Sequence, residues 1–297
     1  MNDPEKTHET PAGHERLFWR KLAYWGATRG PEWWVRYSPP PFGWAAALLV
    51  PHARKVVAQN LRTIRGPVSP LRDAKEVLET FGTYASCLAE VLSNDSPRGP
   101  RSATGVVLGE RWVREAVRMR KGIVLATAHT AGWESAGPLL SRALHEELIL
   151  VMHQEPDARA GRLQDHARLR TGVRIVHVGD PLASLPLLQH LRSGGLVGLQ
   201  LDRIVPGMRT IEVDLLGARG HIPEGPLRLA QLSGAPILPI FCARRGFRDY
   251  VIQVFAPVLV ERRARPDVVT EAAQHLATSM SSFLRAHPTQ WFQFGGG

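Results

Sequence analysis

From residue 106 onward, short apolar runs alternate with amphipathic stretches. The runs "GIVLATA" (122–128), "ELILVMH" (147–153), "VRIVHV" (173–178), "LVGLQL" (196–201), "TIEVDLL" (210–216), "APILPIFCA" (235–243) and "YVIQVFAPVLV" (250–260) predict strands. The spacing between them predicts helices over 110–120, 133–146, 157–170, 181–193 and 225–233, with a last helix over about 267–286. Continuous apolar strands separated by helices predict an α/β fold, with a mostly parallel central sheet covered by helices on both faces. In such a sheet, binding and chemistry belong at the carboxyl ends of the strands.

Upstream the pattern is helical. Residues 52–66, "HARKVVAQNLRTIRG", predict a basic amphipathic helix. A second helix is expected over 70–93, with Ser69 as N-cap, Pro70 in the first turn, and Leu71, Leu78, Phe81, Leu88, Val91 and Leu92 along one apolar side. Residues 93–105 read as a loop, and the polar stretch 1–15 as a disordered tail. This divides the chain into a tail (1–15), an N-terminal helical segment (16–105) and an α/β domain (106–297). Within 16–51, Trp19, Trp25, Trp33, Trp34 and Trp44 are interleaved with arginine and lysine. Such a segment suits a membrane interface, where tryptophan settles at headgroup level and basic groups pair with anionic lipid. Packing of the same indoles onto the domain is the other reading, and the two can hold for different tryptophans.

Charge narrows the partners only partly. The net charge is +10 over 297 residues, carried mostly by arginine. A basic surface serves an anionic membrane, an acidic carrier protein or nucleic acid. No helix-turn-helix, zinc-finger or RNP-type pattern supports nucleic acid, so none is expected as a partner. Cys87 and Cys242 form neither a disulfide framework nor a CxxC metal site, and no metal is expected. No window reaches the roughly 18–20 apolar residues of a spanning helix. With a polar, acidic start and no secretory signal, the expected location is the cytoplasmic face of the inner membrane, monotopic or peripheral.

The stretch "ATAHTAGWESAGP" (126–138) offers two chemistries. "WESAG" resembles the elbow that presents a nucleophilic serine, here Ser135, and implies a serine esterase. That elbow needs small residues two positions either side of the serine and a strand running straight into the turn. Trp133 occupies the upstream position, and the strand ends near Ala128. "HTAGWE" is an H-x4-E pattern: His129 closes a predicted strand, Gly132 turns the chain, and Glu134 falls in the first turn of the next helix. A carboxylate accepting the imidazole N–H would fix the tautomer and leave the other nitrogen free as a base. Glu134 is the expected partner.

Other segments join this one in order. "KGIVLATAHTAGWESAGPLL", "RKVVAQNLRTI", "LVGLQLDR", "IEVDLLGARGHIPEGPLRLAQLSGAPILPIF" and "PTQWFQF" together resemble the bacterial lipid A late acyltransferase family, over about residues 16–294. That family is related to the mycobacterial phosphatidylinositol mannoside acyltransferases. The resemblance implies a glycerolipid acyltransferase-like fold and an enzyme without a cofactor. Acyl carrier protein or acyl-CoA thioester would act as co-substrate, and a membrane lipid or glycolipid hydroxyl as acceptor. It makes His129 the general base and Glu134 its partner. It also places Asp202 and Arg203 near the acceptor and catalytic centre, and Glu224 and Gly225, in "IPEGP", in a block that contacts phosphate or acceptor. His153 stands where many members carry an arginine, and is a further candidate for substrate binding.

Overall fold

The computed structural model describes residues 21–99, 102–153, 158–178 and 184–295. Its centre is a seven-stranded sheet in the order β1-β9-β8-β2-β5-β3-β4. The strands are β1 (Thr104–Leu108), β2 (Ile123–Thr127), β3 (Leu148–His153), β4 (Arg174–Val178), β5 (Leu196–Gln200), β8 (Ile237–Gly246) and β9 (Asp249–Val254). All neighbouring pairs are parallel except β8 and β9, which form an antiparallel hairpin. β6 (Thr210–Leu215) and β7 (Ala218–Pro223) make a separate two-stranded hairpin. The predicted α/β architecture is therefore the observed one.

β2 lies at the middle and is buried on both faces. Val124, Ala126 and Ala128 face one hydrophobic core, Ile123 and Leu125 the other. The first core is closed by α4 (Pro51–Arg65), α9 (Ser184–Arg192), α10 (Gly225–Ser233) and α11 (Pro266–Ala286). The second is closed by α6 (Glu110–Arg118) and α7 (Trp133–Leu144). α8 (Ala158–Leu169) packs beside β4.

The N-terminal helices are α1 (residues 21–29), α2 (Glu32–Tyr37), α3 (Pro39–Leu49), α4 and α5 (Pro70–Leu92). α3 and α5 meet at Gly43, where a Cβ would come within 2.4 Å of the Phe81 carbonyl oxygen, so only glycine permits the contact. Ser69 caps α5 as expected, accepting from the Arg72 N–H. The buried side of α5 departs from the expected apolar stripe. Leu71 is 83% exposed, whereas Asp73, Glu76 and Glu90 are buried. The acids can be inside because arginines meet them. Arg62 (2.5 Å) and Arg65 (2.8 Å) hold Asp73; Arg65 and Arg72 (2.7 Å) hold Glu76.

Burial alone would raise the Asp73 and Glu76 carboxyls, but these arginines outweigh it and hold both below the usual range. A carboxyl depressed by folding stabilises above its unfolded value, and the contribution is lost as pH falls through the lower folded one. The urea midpoint is therefore expected to hold near neutrality and to drop below about pH 4, where unfolded carboxyls protonate. A midpoint flat from about pH 6 to 3 would contradict this ion-pair account.

α1 to α3 present apolar groups outward. Trp25 is 61% and Trp33 62% exposed, and Tyr37, Phe42, Leu48 and Leu49 join them. Trp44 is half exposed, its indole bordering Gly82 of α5. Trp19 lies outside the described residues. No helix among the described residues is long and apolar enough to cross a membrane.

Candidate active site

The two middle strands deliver the site. β2 and β5 run parallel with Thr127 opposite Gln200, and the Leu201 N–H donates to the Thr127 carbonyl at 2.8 Å. Two residues further on, both chains leave the sheet side by side at their carboxyl ends, carrying His129 and Asp202. The His129 backbone N–H donates to Asp202 Oδ2 at 3.0 Å, and Asp202 Oδ1 lies 2.9 Å from His129 Nδ1. The carboxylate therefore accepts a hydrogen bond from Nδ1–H, which leaves the lone pair on Nε2. Nε2 has no hydrogen-bond partner among the described residues, and the side chain keeps 10% exposure.

The Asp202 side chain is fully buried, with an exposure of 0%. Burial alone would raise its carboxyl. The His129 ring and the hydrogen bonds from His129 and Trp291 prevail and hold it below the usual range. The Trp291 indole N–H donates to Asp202 Oδ2 at 2.9 Å. Residues 290–293 form a strap across the site. The Ala131 N–H donates to the Gln290 carbonyl (2.9 Å), the Phe292 N–H to the His129 carbonyl (2.8 Å), and Gln293 Nε2 to the Asp202 carbonyl (3.0 Å). The sequence offers "PTQWFQF" only as one of the segments that carry a family resemblance, and nothing local in it shows that its indole meets Asp202.

The expected contact between His129 and Glu134 is not the one formed. Gly132 adopts φ +81° and starts α7, which directs Glu134 toward α8, where its Oε1 accepts from Arg168 Nε at 2.5 Å. Asp202, which the resemblance places near the acceptor and catalytic centre, is the carboxylate that meets His129. Glu134 still adjoins the site through two neighbours. The Arg168 guanidinium stands 5.8 Å from the centre of the Trp133 ring, and that ring meets His129 edge-on at 5.5 Å.

Ser135 lies in the first turn of α7 and hydrogen-bonds Tyr250. The Ala136 N–H, which an elbow would offer to an oxyanion, donates to the Gly132 carbonyl at 3.1 Å. No histidine meets Ser135 among the described residues.

The remaining candidates are spread around the strand ends. Arg203 is exposed and meets no carboxylate among the described residues. Glu224, at the N-cap of α10, is bound to Arg228 at 2.7 Å. Gly225 opens α10 with Leu199 of β5 as its neighbour, 3.7 Å from where a Cβ would stand. His153 ends β3 opposite Val178, and its side chain lies outside the described residues.

An α/β sheet carrying a histidine–aspartate pair at the ends of adjacent central strands is the framework of an enzyme with a strand-end histidine. The chain belongs to the bacterial lipid A biosynthesis acyltransferase family, whose profile matches residues 14–295, and it is an O-acyltransferase. Phosphatidylinositol mannoside acyltransferases from two strains of Mycobacterium tuberculosis are each 28% identical over 283 residues, which is 92% of this chain and 85% of theirs. The protein of that name from Mycolicibacterium smegmatis is 23% identical over 173 residues, 58% of this chain and 55% of its own length.

Proposed function

We propose that the enzyme transfers a fatty acyl chain from an acyl carrier protein or CoA thioester to a hydroxyl of a membrane glycolipid, with His129 as general base. The relatives named for phosphatidylinositol mannosides favour a phosphate-bearing glycolipid as acceptor. The observation that carries the mechanism is the free Nε2 of His129 above a buried Asp202. Nε2 takes the proton of the acceptor hydroxyl as its oxygen attacks the thioester carbonyl. The tetrahedral intermediate collapses, the C–S bond breaks, and the imidazolium returns the proton to the departing thiolate. Asp202 stabilises the imidazolium and keeps the productive tautomer. Glu134 acts at one remove, holding Arg168 against the Trp133 ring that borders the base. Arg203 and Glu224, beside the same strand ends, are proposed to meet the acceptor, with Gly225 leaving its backbone open to approach.

Incubating the protein with a palmitoyl thioester and a phosphatidylinositol mannoside tests the reading by mass spectrometry. The expected product is an ester-linked triacylated lipid, formed at an undiminished rate by Ser135→Ala. Release of free fatty acid alone, abolished in Ser135→Ala, would favour the esterase.

The exposed aromatics of α1 to α3 and the +10 charge support peripheral attachment to an anionic membrane. Trp25→Ala/Trp33→Ala is expected to weaken sedimentation with phosphatidylglycerol vesicles by about tenfold or more, each indole contributing interfacial area. Unchanged partitioning would remove these helices from the membrane contact.

A further inference from the structure

A concave region borders the first turn of α7, on residues other than His129. A cavity of about 310 Å³ opens between the end of α5, the outer side of α7, the end of α8 and the β8–β9 turn. His129 is not among its lining residues; the nearest part of the site is the first turn of α7, through Glu134 and Ser135.

Charge sets this cavity apart. Its two carboxylates already have cations or hydroxyls on them. Glu90 accepts from Arg244 (2.9 Å) and the Tyr250 hydroxyl, and Glu134 from Arg168. Two of its arginines are not matched in this way. Arg142 meets no carboxylate among the described residues, its Nε donating only to the Pro138 carbonyl at 3.3 Å. Arg170 comes no closer than 3.9 Å to Asp95, a carboxylate already engaged by His166 at 2.9 Å and by the Tyr24 hydroxyl. A cavity with one guanidinium that meets no carboxylate among the described residues and a second held only at 3.9 Å suits an anion, and the planar guanidinium fork matches phosphate.

The position says where that anion comes from. Asn94, on the cavity wall, precedes Asp95, which Tyr24 of α1 grips one residue before the exposed Trp25. On the same side, Arg248, whose guanidinium donates to the Ser93 hydroxyl at 2.5 Å, follows Phe247, over whose ring lies Arg36 of α2, beside the exposed Tyr37. α1 and α2, two of the three helices that carry exposed aromatics, are thus tied to the rim of the cavity. A bilayer touching those aromatics would bring its phosphate layer toward the Arg170 side of the cavity, where Arg170 stands 3.9 Å from the Asp95 that Tyr24 holds.

We propose that this cavity receives the phosphate-bearing headgroup of a membrane lipid, with Arg142 and Arg170 as its phosphate ligands. Asn94 and Thr171 supply uncharged polar groups for headgroup hydroxyls. The inference rests on the membrane reading above and makes the acceptor lipid, rather than the thioester donor, the source of the phosphate.

Calorimetric binding without turnover tests it, using dihexanoyl phosphatidylinositol, dihexanoylglycerol, CoA and inorganic phosphate as probes. The wild-type protein is expected to bind the phosphatidylinositol and not the phosphate-free glycerolipid. Arg142→Gln/Arg170→Gln is expected to lose at least tenfold in that affinity and to keep its affinity for CoA. If the double variant fails to fold by circular dichroism, Arg142→Gln alone is expected to weaken phosphatidylinositol binding severalfold. Equal affinity in a folded variant overturns the proposal. A loss confined to CoA reassigns the cavity to the donor, and a loss confined to inorganic phosphate reduces it to a nonspecific anion site. The same titration on His129→Ala separates this proposal from the catalytic one: lipid binding persists there whether or not transfer does.

Discussion

Asp202→Asn is expected to slow acyl transfer on the order of 10⁴-fold at saturating substrate, as when a buried carboxylate that sets a catalytic histidine's tautomer is neutralised. The carboxylate accepts three N–H groups: the His129 backbone amide, the His129 ring and the Trp291 indole. An asparagine can keep its oxygen toward the two donors at Oδ2 only by turning its own NH₂ toward Nδ1. Nδ1 would then have to accept, the proton would reside on Nε2, and the base would be lost. Glu134→Gln leaves that arrangement intact and weakens only the hold on Arg168, so a loss below about tenfold is expected, in line with one altered hydrogen bond. Initial rates for the two variants decide the matter. A larger loss in Glu134→Gln than in Asp202→Asn would restore Glu134 as the partner of His129.

Gly132→Ala is expected to have the largest effect on stability. Gly132 sits at φ +81°, a conformation that costs an L-residue about 1–2 kcal/mol. Its Cβ would stand 2.2 Å from Tyr250 Cδ1 and 3.1 Å from Cys242 Sγ. Tyr250 has little room to give, because its ring is buried and its hydroxyl is held by Glu90. Overpacking of this kind costs a further ~1–3 kcal/mol. The turn that presents His129 would be displaced as well, so activity is expected to fall together with the denaturation midpoint. A wild-type midpoint in guanidinium for Gly132→Ala would show that the turn is far less constrained than these contacts imply.

The central strands were legible because each is a continuous apolar run buried on both faces. Strands that depend on a partner were not. β7 ("ARGHIP") has almost no apolar character and exists by pairing with β6. β1 ("TGVVL") is an exposed edge strand within what read partly as loop. The reversed direction of β9 leaves no trace in hydrophobicity, since periodicity reports burial and not polarity of the chain.

The same distinction explains the site. His129 was legible because it directly follows a strand. Its partner was not, because local spacing offers only Glu134, five residues on. Asp202 reaches His129 only because β5 inserts between β2 and β3, a sheet order set by long-range packing. Trp291 is further still in sequence, arriving from the end of the chain after α11. The acidic side of α5 was hidden for a related reason: Asp73, Glu76 and Glu90 can be buried only where arginines from other segments meet them.

The most direct test of the account is the rate of acyl transfer by His129→Gln, which preserves bulk and polarity but cannot serve as a base. A loss of at least about 10²-fold, the lower end of what general base catalysis contributes, is expected, with the melting temperature little changed. Transfer at the wild-type rate by this variant would contradict the central role given to His129.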